Sequence, residues 1–190
     1  TVVASSELIE YYKGIYTTLS SCASRQLEEV TFRRATISVP ELMATAGKYF
    51  RKAYKGYKAH IDIKIQPLAG RITGDWNQLR YLLENLIDEA CSVTLDGAGC
   101  LSAREDGEFI RFLFTDMRRE KTREELNQLF YPDLSRMTAG EKGELYGTEY
   151  LVCKQIIRDH DEFAGRRGCR ITAEPGKEGG FTIYFTLPKK

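Results

Sequence analysis

The sequence has few histidines and no cysteine pairs with metal-site spacing, which argues against a zinc site, and its scattered cysteines argue against a disulfide framework. The 190 residues contain two histidines, His60 and His160, which lie far apart in the chain. No pair of cysteines has the spacing of a zinc site. The five cysteines are scattered, odd in number and mostly embedded in apolar runs. This pattern is typical of reduced, buried thiols rather than of a disulfide framework.

The sequence also lacks an excess of charge of either sign and any long apolar run. The formal net charge is +1 and no basic stripe is visible, so neither nucleic acid nor an anionic membrane surface is expected as a partner. No apolar run approaches the ~18 residues of a membrane span, and no signal peptide is present. Because the chain opens with Thr1 within a helical pattern, we expect a cytoplasmic fragment of a larger protein, with an upstream membrane anchor left open.

The composition that remains predicts one well-packed domain with a long helix in front of it, since 42% of the residues are hydrophobic. Residues 5 to about 34 are predicted to form one long helix. From Leu8 to Cys22 its apolar positions alternate steps of four and three, which is the seam of a coiled coil or a helical hairpin, and the seam then fades into a charged stretch. We therefore predict a helical dimerisation or linker segment at residues 1–36 that pairs with its mate in a homodimer. Residues 37–190 form the second predicted unit. The seam consists of Leu8, Tyr12, Ile15, Leu19 and Cys22.

Residues 75–94 are predicted to form an amphipathic helix with two usable faces. Asp75 precedes the first apolar position and Gln78 follows three residues later, which predicts a capping box. On the second face, Asn85 and Glu89 lie one turn apart, so their side chains meet. This polar face lines a ligand site on one interpretation and is a solvated surface on the other. The apolar stripe contains Trp76, Leu79, Leu83, Leu86 and Ala90.

The order of the other elements predicts an α+β fold, a two-layer α/β sandwich with helices on one face of a mixed sheet. Pro40 is well placed in the first turn of a helix, and Thr122 with Glu125 predicts a second capping box. A loop at 131–147 holds three glycines among polar residues and is expected to be mobile. The predicted elements are a break at 36–40, helices at 40–57, 122–130 and 148–163, a strand at 60–66, and hairpins of 100–104 with 109–115 and of 169–173 with 181–187.

The stretch GDWNQLRYLLENLIDEA resembles the N box of the histidine-kinase-like ATPases, the GHKL superfamily. In that box an acidic residue, then a Leu and then NLLxNA lie on the helix beside the nucleotide. Glu89 departs from the pattern, since the family usually has an Asn there that holds the magnesium bound to the triphosphate. A carboxylate is itself a normal magnesium ligand. The positions that fit the pattern are Asp75, Leu79, Asn85, Leu86, Ile87 and Ala90.

A second box follows at the end of a predicted strand. Asp116 stands where the family has the Asp of its D-x-G-x-G box, which accepts a hydrogen bond from the adenine amino group. Arg118 and Glu120 stand at the two glycine positions. Glycine is used where a ligand meets bare backbone, so two long charged side chains are expected to fill that volume.

The remaining boxes follow in order. The loop at 131–147 takes the place of the ATP lid. The stretch LYGTEYLVCKQII resembles the glycine-rich turn that cradles the phosphates, with Gly147 on one glycine and Glu149 on another. A carboxylate at residue 149 is expected to repel a triphosphate. The stretch GGFTIYFTLP resembles the closing strand of the family.

The resemblance implies the Bergerat ATP-binding fold, with ATP and magnesium as cofactors. In the superfamily a dimerising hairpin precedes the ATPase domain, but its phosphoacceptor histidine is not in residues 1–59. A response regulator or an upstream sensor domain is the implied partner, beside the homodimer mate. The candidate nucleotide-site residues are Asn85, Glu89, Asp116, Lys142 and Gly147, and the first two are also the candidate magnesium ligands.

Three functions compete on these grounds. The leading hypothesis is the C-terminal ATPase-like module of a two-component sensor histidine kinase-like signalling protein, with weak or no ATP binding because the glycine boxes are degraded. One alternative is an active histidine kinase domain with Asn85 and Glu89 on magnesium and Arg118, Arg119 or Lys142 on phosphate. The other is a protein-interaction domain without nucleotide. Whether the chain is an enzyme stays open at this point.

Overall fold

The structure of the protein is a computed structural model that describes residues 32–190 apart from 58–60, 67, 92–96, 118, 131–147 and 178, together with Ile9 and Tyr12. No helix in this part of the chain is long and apolar enough to cross a membrane. In chain order the helices and strands are β1 (Ala35–Ser38), α1 (Val39–Ala53), β2 (Ile61–Ile65), β3 (Arg71–Gly74), α2 (Trp76–Cys91), β4 (Gly97–Asp106), β5 (Phe109–Asp116), α3 (Arg123–Gln128), α4 (Thr148–Phe163), β6 (Ile171–Pro175) and β7 (Phe181–Pro188).

Five strands form one mixed sheet in the order β2-β4-β5-β7-β6. β2 runs parallel to β4, and the other neighbouring strands are antiparallel. β5 is the central strand, and its register places Phe112 opposite Phe185 on β7. The two rings stack with their centroids 5.0 Å apart. Both hairpins predicted from the sequence, β4 with β5 and β6 with β7, are present.

One face of this sheet carries the core. Along β5, Ile110, Phe112 and Phe114 are buried, whereas Arg111 and Leu113 between them are partly buried. α2 packs between α1 and α4, and each of these three helices contacts a strand of the sheet. The predicted α+β fold, a two-layer sandwich with helices on one face of a mixed sheet, is confirmed.

Two helix starts follow the predicted local chemistry. Pro40 lies in the first turn of α1, as predicted, and the hydroxyl of Ser38 caps this helix by accepting from the main-chain N–H of Glu41 at 3.4 Å. The capping box of α3 is complete. Thr122 Oγ1 accepts from the N–H of Glu125 at 3.2 Å, and Glu125 Oε2 accepts from the N–H of Thr122 at 2.6 Å.

The predicted order lacks two short strands, β1 and β3. β1 replaces most of the break predicted at residues 36–40, and it pairs antiparallel with β3 so that Ile37 lies opposite Ile72. Each strand has four residues and buries one large apolar side chain. A single buried position gives no alternation to detect, and the pairing joins segments that are distant in the chain. The α1 helix also ends at Ala53 rather than at residue 57, and a separate 3-10 helix spans Lys55–Tyr57.

The capping box predicted at Asp75 is half correct. The carboxylate of Asp75 accepts from the main-chain N–H of Gln78 at 3.1 Å, so Asp75 caps α2. Its own main-chain N–H donates to Nε2 of His160 at 3.0 Å and not to the side chain of Gln78. Gln78 Oε1 is buried and makes no hydrogen bond within the described residues. A histidine from α4 therefore completes a motif that local sequence assigns to glutamine.

The predicted N-terminal helix lies almost entirely outside the described residues. Within it, Ile9 and Tyr12 are helical and exposed. Residues 32–34 lie outside any helix, so the helix expected to end at about residue 34 does not include residues 32–34. The expected mobile loop at 131–147 falls outside the described residues as well.

The cysteines of the described chain are free thiols, as the sequence predicts. Cys91, Cys153 and Cys169 are buried, and Cys100 is partly buried. Burial, followed by nearby aspartates, raises the pKa of Cys91 and of Cys169 to about 12. Both thiols are therefore protonated at neutral pH and behave as small apolar side chains.

Candidate functional site

The polar stripe on α2 faces the interior of the described structure. Asn85 is 8% exposed, and its Nδ2 is buried with no hydrogen-bond acceptor within the described residues. Glu89 lies one helical turn further, with 18% of its side chain exposed. These two candidate residues therefore occupy one buried stripe of the helix, as their spacing predicts, and are not a solvated surface.

Asp116 closes the central strand and points into the same interior. Its side chain lies on the same face of β5 as those of Phe112 and Phe114, and Asp116 is 1% exposed. Its carboxylate accepts two hydrogen bonds from one residue. The main-chain N–H of Arg119 donates to Oδ1 at 3.1 Å, and Nε of Arg119 donates to Oδ2 at 2.8 Å. Asp116 thus ends a strand, as predicted, and an arginine of the same chain contacts both of its carboxylate oxygens.

The guanidinium of Arg119 extends from β5 to α2. Nη2 donates to the main-chain carbonyl of Glu89, and Nη1 lies 3.9 Å from Glu89 Oε2. The Arg119 side chain is 19% exposed. Burial opposes its charge, but the nearby Asp116 and Glu89 carboxylates outweigh burial and hold the pKa of Arg119 above its ordinary value. The charged Arg119 side chain therefore connects Glu89 on α2 with Asp116 at the end of β5.

Tyr150 lies beside Arg119, in the first turns of α4. It is buried, and its ring packs edge-on against Phe130 with centroids 6.2 Å apart. Burial and then the charge of Glu89 raise the pKa of Tyr150 above its ordinary value. We call Glu89, Asp116, Arg119 and Tyr150 the Arg119 cluster. It joins α2, α4 and the end of β5.

A second cluster holds α2 in position. The carboxylate of Asp88 accepts from the hydroxyl of Tyr49 at 2.7 Å and 2.8 Å, and from the hydroxyl of Tyr54 at 2.6 Å. Both tyrosines belong to the α1 end of the fold, whereas Asp88 is the neighbour of Glu89 on α2. Burial and then the hydrogen bond to Asp88 raise the pKa of both hydroxyls. This clamp helps to position Glu89 through its helix.

The turn between β6 and β7 lies against the main chain at the end of β5. Gly180 has φ of 67°, and a Cβ there would collide with the carbonyl oxygen of Asp116. Glu120, at one of the degraded glycine positions, is exposed, and its carboxylate faces this turn. A Cβ built on Gly179 would lie 3.7 Å from Glu120 Oε1. Glycine at residue 180 is therefore needed for the backbone to approach Asp116.

The structure brings some of the candidate residues together and leaves others outside its description. Glu89 and Asp116 contact the same guanidinium, and Asn85 lies on the stripe of Glu89. Lys142, Gly147 and Arg118 lie outside the described residues, as does the side chain of Glu149.

The sequence does not predict that Arg119 and Tyr150 belong to the Arg119 cluster. The sequence places Arg119 on phosphate only in the alternative of an active kinase, although its spacing of three from Asp116 permits an ion pair. Tyr150 resembles an ordinary buried aromatic residue.

The described residues do not fit magnesium or adenine in their present arrangement. No group of three or more His, Cys, Asp or Glu residues within the described part of the chain is arranged to hold a metal ion. The Glu89 carboxylate is near Arg119, and the Asp116 carboxylate is hydrogen-bonded to it. A metal at Glu89 or an amino donor at Asp116 would have to displace a cation. The buried Nδ2 of Asn85, which has no acceptor within the described residues, favours a ligand.

Several solved structures share this fold. The histidine kinase ThkA, in complex with the response regulator TrrA, is 18% identical with a TM-score of 0.64, and the match covers 94% of this chain and 49% of ThkA. The ATP-binding domain of PrrB from Mycobacterium tuberculosis is 18% identical with a TM-score of 0.61 and coverage of 83% and 98%. Full-length ShkA in complex with AMPPNP is 17% identical with a TM-score of 0.68 and coverage of 90% and 34%. At these identities the likeness shows the fold alone.

Sequence comparison identifies the family. No curated protein has a significant match to the chain. Residues 74–190, which are more than half of the chain, match the family described as histidine kinase-, DNA gyrase B-, and HSP90-like ATPases. The matched region begins at the last residue of β3 and includes α2, β5 and the whole Arg119 cluster. The chain therefore belongs to the family of histidine kinase-, DNA gyrase B-, and HSP90-like ATPases.

Proposed function

We propose that this chain is the ATPase-like module of a two-component sensor histidine kinase-like signalling protein, and that it has diverged to bind ATP weakly or not at all. Its role is dimerisation and contact with other proteins rather than efficient phosphoryl transfer. The family and the fold support the first part of the proposal. The second part depends on the arrangement of Asp116.

The observation that carries the proposal is the double contact of Arg119 with the Asp116 carboxylate. A neutral amino group of adenine would have to replace a charged donor, and hydrogen bonds to charged donors are roughly twice as strong as neutral ones. Breaking a buried ion pair costs about 3–5 kcal/mol, and each ~1.4 kcal/mol is tenfold in affinity. Even the lower figure lowers affinity by roughly a hundredfold.

A negative charge at the predicted phosphate turn is also expected to weaken ATP binding. Glu149 stands at a glycine position of the phosphate turn in the sequence. Two unit charges of like sign ~4 Å apart repel by roughly 1 to 4 kcal/mol, depending on the local dielectric. This term weakens triphosphate binding further, and it is independent of the contact at Asp116.

The role in signalling follows from the predicted organisation of the chain. Residues 1–36 form the helical dimerisation segment in this proposal, and residues 37–190 form the ATPase-like domain. A response regulator or an upstream sensor domain is the proposed partner, which the complex of ThkA with TrrA supports by analogy. The module acts in the cytoplasm as part of a larger protein, and nucleic acid is not a partner.

Calorimetric titration of the whole chain with Mg-ATP tests the proposal. We expect no measurable heat of binding at micromolar protein concentration. The rival function is an active kinase domain. It is favoured by Nδ2 of Asn85, which is buried without an acceptor among the described residues, and by the carboxylate of Glu89. Low-micromolar binding that Asp116→Ala abolishes would establish the rival and overturn the proposal. Arg104→Ala, at an exposed position on β4, is the matched control for substitution alone.

A further inference from the structure

We propose that Arg119 is an internal substitute for the nucleotide, and that this one side chain both replaces ATP structurally and excludes it. This inference rests on the proposed function, because it explains which residue closes the site. It goes further, since it predicts that removal of one side chain reopens the site to Mg-ATP.

Arg119 occupies the hydrogen-bonding position that the resemblance assigns to the adenine base. Nε of Arg119 is an N–H donor 2.8 Å from Asp116 Oδ2, and the main-chain N–H of the same residue occupies Oδ1. The resemblance assigns this carboxylate to an N–H donor of adenine. Arg119 therefore supplies the kind of group that a bound base would supply, and it does so from three residues away in the chain.

The two terminal nitrogens of the Arg119 guanidinium lie beside Glu89. Nη2 donates to the carbonyl of Glu89, and Nη1 lies 3.9 Å from the Glu89 carboxylate. Glu89 stands at the position that the resemblance assigns to magnesium. One side chain thus contacts both the base-side residue and the metal-side residue. A cation here also neutralises carboxylate charge, which is what a bound metal would do.

Removal of the Arg119 side chain is expected to destabilise the domain. The side chains of Asp116 and Glu89 are 2% and 18% exposed, and Tyr150 beside them is buried. Without the guanidinium, the two carboxylates lose a cation in a poorly solvated space. We expect Arg119→Ala to lower the melting temperature by roughly 5 to 15 °C, from the usual cost of removing one partner of a largely buried ion pair in a domain of this size. Magnesium with a nucleotide is then the natural replacement for the lost cation and donor.

The experiment measures thermal unfolding and calorimetric binding of the whole chain with and without Mg-ATP. The variants are Arg119→Ala, Arg119→Gln, which keeps an N–H donor without the charge, and the control Arg104→Ala at an exposed position of β4. Wild type and Arg104→Ala are expected to show no response to Mg-ATP. Arg119→Ala is expected to bind Mg-ATP at least tenfold more tightly than wild type and to recover several degrees of melting temperature with it. The double variant Asp116→Asn with Arg119→Ala is expected to lose this recovery.

The outcomes separate this inference from the proposed function. If Arg119→Ala folds but gains no Mg-ATP binding, Arg119 is structural only and the inference is wrong, while the proposed function stands. If the wild type itself binds Mg-ATP at low micromolar concentration, the proposed function fails and the inference fails with it. If Arg119→Ala does not fold, Arg119→Gln decides, because a neutral amide is displaced from Asp116 more easily than a charged guanidinium, and a folded Arg119→Gln with no gain in Mg-ATP affinity then overturns the inference.

Discussion

The main-chain N–H of Asp75 donates to Nε2 of His160 across 3.0 Å, which ties the first residue before α2 to the last turn of α4. Nδ1 of His160 lies 2.7 Å from the carbonyl of Ile156 and donates to it, so the ring is neutral with its proton on Nδ1. The Asp75 carboxylate also accepts from the N–H of Arg33 at 2.9 Å. The edge of Phe32 packs on the His160 ring with centroids 4.9 Å apart. The segment in front of the ATPase domain is thereby held to the two helices that border the Arg119 cluster.

The first prediction is a loss of stability as pH falls below 6.5. Burial, only partly offset by the bond to Ile156 and by Asp75, lowers the pKa of His160 below its usual value of 6.5. The unfolded state therefore binds the proton first. The stability that neutral His160 contributes is fully present above pH 6.5 and is lost as pH falls through the folded-state pKa. Urea denaturation of wild type and His160→Gln between pH 5 and about 8 checks this.

The comparison with His160→Gln isolates the histidine. The glutamine amide oxygen still accepts from Asp75 but does not titrate, and His60 is the same in both proteins. We expect the stability difference between the two proteins to shrink on acidification below pH 6.5. A difference that is constant with pH would show that His160 does not contribute the titrating group.

The second prediction concerns Gly180. Alanine there meets two costs, because φ of 67° is strained for an L-residue and the added Cβ collides with the Asp116 carbonyl. Gly107→Ala is the matched control, since its φ is 59° but no atom lies within 4 Å of the new Cβ. We expect Gly107→Ala to cost about 1–2 kcal/mol, the strain alone. Gly180→Ala is expected to cost clearly more. Equal free energies of unfolding for the two variants would mean that the β6–β7 turn relaxes away from Asp116.

The third prediction concerns the clamp between α1 and α2. A hydrogen bond to a charged group contributes about 1.5–3 kcal/mol, so Tyr54→Phe is expected to destabilise the domain by an amount in that range or slightly below it, since Tyr54 is partly exposed. Tyr81→Phe, at an exposed position of α2, is the control and is expected to be neutral. In a double-mutant cycle Tyr54→Phe and Asp88→Asn should couple strongly. Strict additivity would show that the clamp adds no stability.

The fourth prediction is dimerisation through residues 1–36, which remains a sequence-based prediction. Sedimentation of the intact chain is compared with a chain that begins at Phe32, which keeps the contact of Phe32 with His160. We expect a dimer for the first and a monomer for the second. Leu19→Lys in the intact chain is expected to weaken the dimer, because it places a charge in the seam. Equal association of all three proteins would contradict the predicted seam.

Residues that act within one element were predictable from the sequence. The stripe of Asn85 and Glu89 on α2, the parity that turns Asp116 inward on β5 and the capping box of Thr122 with Glu125 all follow from local periodicity. Each depends on residues three or four apart on a helix, or two apart on a strand. The same periodicities, read in order, predict the α+β sandwich.

Relationships between elements were decided by the tertiary structure. Spacing permits Arg119 to pair with Asp116, but whether its guanidinium then meets Glu89, phosphate or solvent depends on the distance between β5 and α2. Asp75 illustrates the same point, since local sequence assigns its N–H to Gln78 whereas packing presents His160 instead. The pairing of β1 with β3 is likewise long-range. The sequence by itself therefore determined the family, the layers and the inward positions of the site residues. Only the tertiary structure decided which charges meet there, because ion pairs form wherever packing brings partners within reach, whatever their separation along the chain.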